Sequence, residues 1–235
     1  MSVILALDTS TPACSVALNI NGAVLEDFRM APRLHNDLIL PMVDQILDQA
    51  GITLSDLDAI AFGRGPGSFT GLRISAGVVQ GLAFGADLPV IPVSTLAALS
   101  LEGFQKTGKN RWLAALDARM GEIYMGGYTV NKVEGRYVIE SLIDECVVKP
   151  ESLKGFTEHY NGVGSGWCYE DILSSLMPAA PEYILTDAAP RAACIADLAM
   201  LQFQQGATVS SYEAIPTYLR DEISWEKQAP RIGKR

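Results

Sequence analysis

The chain opens on an unbroken apolar run, Val3-Ile4-Leu5-Ala6-Leu7, the pattern of a short strand buried on both faces. Asp8-Thr9-Ser10-Thr11-Pro12 interrupts it as a turn. Ser15–Ile20 predicts a second strand, Asn21-Gly22 a hairpin turn, and Val24–Arg29 a third strand. The period then changes. From Asn36 to Ala50 the apolar residues fall at 38, 39, 42, 43, 46 and 47, which is helical spacing. Asn36 is the expected N-cap and Gly51 the expected stop, and Pro41 should kink or delay the helix. Leu57–Phe62 predicts another strand, Gly63 to Ser68 a glycine-rich loop, and about Thr70 to Gly85 a second helix. Pro89–Val93 predicts a buried strand, and Ser94 caps a third helix through Leu101. Strands alternating with helices in this order indicate a mixed α/β sheet.

Gln105 to Asn110 is polar, holds a glycine and predicts a linker. Beyond it the opening pattern recurs. Trp112-Leu113-Ala114-Ala115-Leu116-Asp117 echoes Val3-Ile4-Leu5-Ala6-Leu7-Asp8, and Glu122–Thr129 follows as the second arm of a hairpin. Two apolar strands ending in Ala-Leu-Asp at matching places indicate an internal duplication. Tyr137–Val148 predicts strands, Asn161 to Gly166 a loop, and about Arg191 to Gln205 a helix. The expected organisation is therefore two lobes, 1–104 and 105–235, with the C-terminal segment packing back on the first.

Composition narrows the function. With 235 residues and 49% hydrophobic content the chain can bury one large core or two small ones. Net charge is −9; residues 227–235 supply four basic groups and no acid, so the remainder carries −13. A body that acidic repels a phosphate backbone, so any nucleic acid is expected to be held by a partner. Cys14, Cys146, Cys168 and Cys194 form no Cys-x-x-Cys pair, against a zinc knuckle or dithiol site, and scattered thiols suit a reducing compartment. No signal peptide and no apolar run of about 20 residues are seen, so a cytoplasmic protein is expected.

The duplicated strand–aspartate–turn–strand unit resembles the actin / Hsp70 / sugar-kinase superfamily, an α/β, ribonuclease H-like two-lobe fold. There the first hairpin embraces phosphates through its backbone N–H groups; taken alone, Asp8 reads equally as an ordinary turn aspartate. A more specific signature is Ala61-Phe62-Gly63-Arg64-Gly65-Pro66-Gly67-Ser68-Phe69-Thr70-Gly71-Leu72-Arg73, continued by Gly77-Val78-Val79-Gln80-Gly81-Leu82-Ala83. With Leu40-Pro41, Pro92-Val93-Ser94-Thr95-Leu96, Leu116-Asp117-Ala118-Arg119 and Pro216-Thr217-Tyr218-Leu219-Arg220, it resembles the TsaB family over almost the whole chain. The resemblance implies a non-catalytic partner of TsaD that acts with the ATPase TsaE. That complex threonylcarbamoylates the adenosine beside the anticodon in tRNAs reading codons that begin with A. It further implies a homodimer when TsaD is absent, tRNA contact only through the complex, and no catalytic, cofactor or metal residue in this chain.

The residues present bear on the rivals. TsaD binds its metal partly through His-x-x-x-His; here His35 is followed at the matching place by Ile39, and the only other histidine is His159, which weakens a metallopeptidase reading. Ser165 lies in Gly-Ser-Gly rather than a Gly-x-Ser-x-Gly elbow. Gly63 to Gly67 lacks the Gly-Lys-Ser/Thr ending of a phosphate loop, and Pro66 removes a donor, so a sharp strand-to-helix connection is expected there. An ATP-dependent small-molecule kinase of the same superfamily stays open as the alternative. Gly77, Gly81 and Gly85 share one helical face and are expected to lie on the chain's own sheet, leaving the opposite face for TsaD. The expected interface is His35, Leu38, Met42, Ile46, Leu72, Arg73, Ala76, Val79, Gln80 and Ala83.

Overall fold

The structure is a computed structural model that describes residues 2–220; the basic segment 227–235 lies outside the described residues. Two five-stranded sheets carry the chain. The first has the order β3-β2-β1-β4-β5, from β1 (Val3–Asp8), β2 (Ala13–Ile20), β3 (Ala23–Met30), β4 (Ala59–Gly65) and β5 (Val90–Ser94). β1, β2 and β3 are antiparallel neighbours, while β4 and β5 add in parallel through helical crossovers. The second has the order β10-β9-β6-β7-β8, from β6 (Arg111–Arg119), β7 (Glu122–Val133), β8 (Arg136–Val148), β9 (Asn161–Val163) and β10 (Ile184–Leu185). Again the first three strands form an antiparallel meander and the last two pair in parallel.

Alternation along the strands sorts the core into layers. In β1, Leu5 and Leu7 point to α1 (His35–Ala50) and α2 (Phe69–Ala86), joining Met42, Ile46, Phe62, Ala76 and Val79 in one buried cluster. Ile4 and Ala6 point the other way, into a core shared with α3 (Thr95–Thr107), α5 (Ala192–Gln204) and the inner face of the second sheet. A third cluster around Leu113, Ala115 and Trp167 lies under α4 (Glu170–Ser175). Residues 207–218 return to the first sheet: Val209 bridges Val90 beside the β5 edge, and Thr217 N donates to the Arg64 carbonyl at 2.8 Å.

Several boundaries differ from expectation. α1 begins at His35 behind Leu34 with no side-chain cap, so Asn36 lies inside the helix, and Pro41 is accommodated within it. Pro41 is on the exposed side, where the one missing N–H leaves a carbonyl that water can reach. Gly51 does close the helix, with φ 68°. α3 runs past Leu101 to Thr107 because Leu101, Glu102 and Gly103 are buried; a side chain on Gly103 would collide with the Trp112 ring. The expected linker shrinks to a turn at Gly108. Asn161–Val163, expected as loop, is a strand: Gly162 lies flat under the Trp167 indole and leaves no apolar alternation for a sequence pattern to show.

Candidate functional site

The first aspartate hairpin is sealed by its own chain. Asp8, Thr9 and Ser10 are at most 1% exposed. Asp8 Oδ1 accepts hydrogen bonds from Ser10 N at 3.0 Å and Ser10 Oγ at 2.8 Å, whereas Oδ2 has no partner. Burial pushes the Asp8 carboxyl up to about 7 against the opposing pull of the Ser10 bonds. The glycine-rich segment lies directly on this hairpin: Ser68 N donates to Ser10 O at 2.7 Å and Thr9 Oγ1 to Gly71 O at 2.7 Å. A Cβ on Gly67 would come within 2.6 Å of Ser10 O, and one on Gly71 would fall on Thr9 O. The glycines at 67 and 71 are thus explained by close backbone approach. A nucleotide phosphate, which the fold class brings to mind, does not fit here: the Ser10 N–H is engaged by Asp8 and the space above is filled by Gly67 to Gly71.

The mouth between the sheets is bridged as well. Glu145 on β8 accepts hydrogen bonds from Tyr128 OH at 2.7 Å and from Ser94 Oγ with one oxygen, and pairs with Arg64 Nη2 at 3.2 Å through the other. Arg64 Nη1 also donates to Thr217 Oγ1 at 2.8 Å, and Arg220 reaches the Ala118 carbonyl and Glu122. By contrast the second hairpin is open, with Asp117 half-buried and Met120 68% exposed at its tip. His35 is tied to the first lobe, its Nε2 donating to the carbonyls of Thr11 at 2.8 Å and Ala13 at 3.2 Å, and Ile39 fills the core beneath. Among the described residues no cluster of three or more His, Cys, Asp or Glu is placed to hold a metal ion.

α2 presents two unlike faces. Leu72, Ala76, Val79 and Ala83 are at most 4% exposed and sit against the chain's own sheet, with Met42 and Ile46 of α1 beside them. These six expected interface residues are therefore core residues, and the expected orientation of the helix is reversed. Gly77, Gly81 and Gly85 face outward, and a Cβ on any of them would meet open space. Of the other expected interface residues, Arg73 is exposed, while His35, Leu38 and Gln80 are half-buried, Gln80 through a bond to the Ala214 carbonyl at 3.0 Å.

Exposed apolar side chains flank these helices: Phe69 and Phe84 on α2, Leu40 on α1 and Leu34 just before it. The C-terminal segment adds Tyr212, Ile215 and Tyr218, with Tyr212 edge-on to Phe84 and Tyr218 tilted on Phe69. Sequence reasoning missed these three. The polar residues of α2 carried the missing signal: at 100° per residue Thr70 and Arg73 fall on the glycine side, marking it as the outward one, while Gln80 falls at its edge next to Ala76.

Two sheets, each opening on a strand–aspartate–hairpin unit and joined by shared helices, define an α/β protein of the actin-like class. The family model described as "TsaD: tRNA N6-adenosine threonylcarbamoyltransferase" matches residues 29–171. The chain is 43% identical to the "tRNA threonylcarbamoyladenosine biosynthesis protein TsaB" of Escherichia coli K12, over 95% of this chain and 97% of that one. It is 42% identical to the Haemophilus influenzae protein of the same name, over 95% and 96%. The structure titled "YeaZ from Pseudomonas aeruginosa" superposes with a TM-score of 0.85 at 43% identity, covering 93% of this chain and 100% of that one. The chain belongs to the TsaB family of tRNA threonylcarbamoyladenosine biosynthesis proteins.

Proposed function

We propose that this chain is the non-catalytic partner of TsaD, acting with TsaE in the cytoplasm to allow threonylcarbamoylation of the adenosine beside the anticodon of tRNAs reading codons that begin with A. One observation carries the reading: the outward face of α2, where three glycines in one line lie open among exposed phenylalanines and leucines. Glycine inside a helix costs about 1 kcal/mol relative to alanine, and among the described residues nothing uses the space above these three. A partner helix approaching closely does use it. The buried first hairpin and the engaged His35 support a role without chemistry of its own. Placing the division at the Gly108 turn, after α3, leaves one lobe for docking and a second that buttresses it.

The test is co-purification with TsaD from the same genome, followed by tRNA modification with and without this chain. Gly81→Leu is expected to leave the isolated chain folded, to abolish TsaD capture and to remove modification. A Gly81→Leu protein that melts like the parent and still captures TsaD at full strength would sink the proposal.

A further inference from the structure

We infer that Arg73 is a preset anchor for a carboxylate on the docking helix of the partner, a deepening that rests on the TsaD reading above. Arg29, Arg64, Arg111, Arg191 and Arg220 each meet a carboxylate of their own chain. Among the described residues Arg73 meets aromatic rings instead. Its guanidinium carbon stands 3.8 Å from the Phe69 ring centroid and 5.9 Å from that of Tyr218, and its Nε donates to Tyr218 OH at 3.1 Å. Phe69 and Tyr218 hold each other at 5.4 Å between centroids. The Phe69 contact is an i,i+4 pair on α2, and the Tyr218 contact ties the arginine to the returning C-terminal segment.

Held in this way, the side chain has lost much of the rotamer freedom that binding would otherwise remove, and on its exposed surface the two terminal nitrogens have no hydrogen-bond partner among the described residues. Arginines stacked on aromatics are frequent hot spots because the planar fork matches a carboxylate. The position selects the ligand further. Gly77 follows Arg73 by one helical turn on the same face and has open space above it. A partner helix that closes onto Gly77 and Gly81 through small residues brings a neighbouring aspartate or glutamate within reach of Arg73. A second copy of this chain is the poorer occupant: net charge is −9, and α1 carries Asp37, Asp44 and Asp48 exposed on its outer side, so self-pairing concentrates like charge.

The experiment measures the affinity of the full chain for purified TsaD from about 50 to 300 mM NaCl, across which an exposed ion pair is progressively screened. Wild type is compared with Arg73→Ala, Arg73→Lys and Tyr218→Phe, each checked by thermal melting. Arg73→Ala is expected to weaken binding by at least ~10-fold at low salt and to flatten the salt dependence. Arg73→Lys should recover the salt dependence but only part of the affinity, since it lacks the stacked fork. Tyr218→Phe, which frees the guanidinium, should weaken binding by about 2–5-fold. A folded Arg73→Ala that binds TsaD with wild-type affinity and salt slope overturns the inference while leaving the proposed function standing. So does one that loses only self-association in sedimentation. Failure of the wild type to bind TsaD removes both.

Discussion

The two faces of α2 share one helix and one run of small residues, yet they do opposite things. On the inward face the small residues are alanines, together with Gly71 in the first turn, and they are small because the sheet and the Asp8 hairpin press against them. On the outward face the small residues are glycines with open space above them. Smallness in a sequence therefore has two meanings, contact already made and space left open, and only the packing tells them apart.

Four substitutions sharpen or break that contrast. Val79→Glu puts an unpaired charge at a position with no exposure and is expected to cost about 4–5 kcal/mol or more, unfolding the isolated chain; circular dichroism melts settle it, and a stable, folded variant would mean the faces are wrongly assigned. Asp8→Asn probes the hairpin beneath the inward face through pH. The folded-state carboxyl is raised from 3.8 to about 7, so the folded chain binds the extra proton between those values. Stability is intact below about pH 4 and declines as pH rises through 7, by up to ~4 kcal/mol. Asn removes that decline, so the variant should match the parent near pH 4 and exceed it at pH 8 in urea unfolding. An unchanged pH slope would show that Asp8 is not the group responsible.

Gly71→Ala and Gly81→Ala are the same change on the two faces. At 71 the new methyl falls on the Thr9 carbonyl, and overpacking of this kind costs about 1–3 kcal/mol. At 81 it meets nothing, and the helix gains about 0.5–1 kcal/mol from alanine's better propensity. Denaturant midpoints should move in opposite directions; equal signs would erase the distinction between the faces.

Much of the fold was legible in the residues. The Ala-Leu-Asp echo at residues 6–8 and 115–117 marked the duplicated hairpins because a strand buried on both faces has few compositional options. The Ser94 cap was legible for the same local reason, and its Oγ accepts the Ala97 N–H at 3.1 Å. What failed depended on distant partners. The extension of α3 past Leu101 requires Trp112, and the strand at Asn161–Val163 requires β6 on one side and β10 on the other. The facing of α2 was misjudged because its alanine-and-valine side and its glycine side are both apolar. Thr70 and Arg73 were the residues that distinguished them. Tyr212, Ile215 and Tyr218 were illegible as neighbours of α2 because the expected return of the C-terminal segment to the first lobe fixes no partner for any one side chain.

That return, and the burial of α5, have a consequence in time. The first sheet is complete in sequence at Ser94, but its inner face is covered by α5, which ends at Gln204, and Val209 reaches Val90 only afterwards. At ~5–20 residues per second a translating ribosome needs roughly 5–20 seconds to bridge that interval. During it Ile4, Ala6, Ala61 and Ile91 have α3 beside them but still lack α5. The growing chain thus carries a β-sheet face that is only partly covered for that interval, and the first lobe, though encoded first, is finished last.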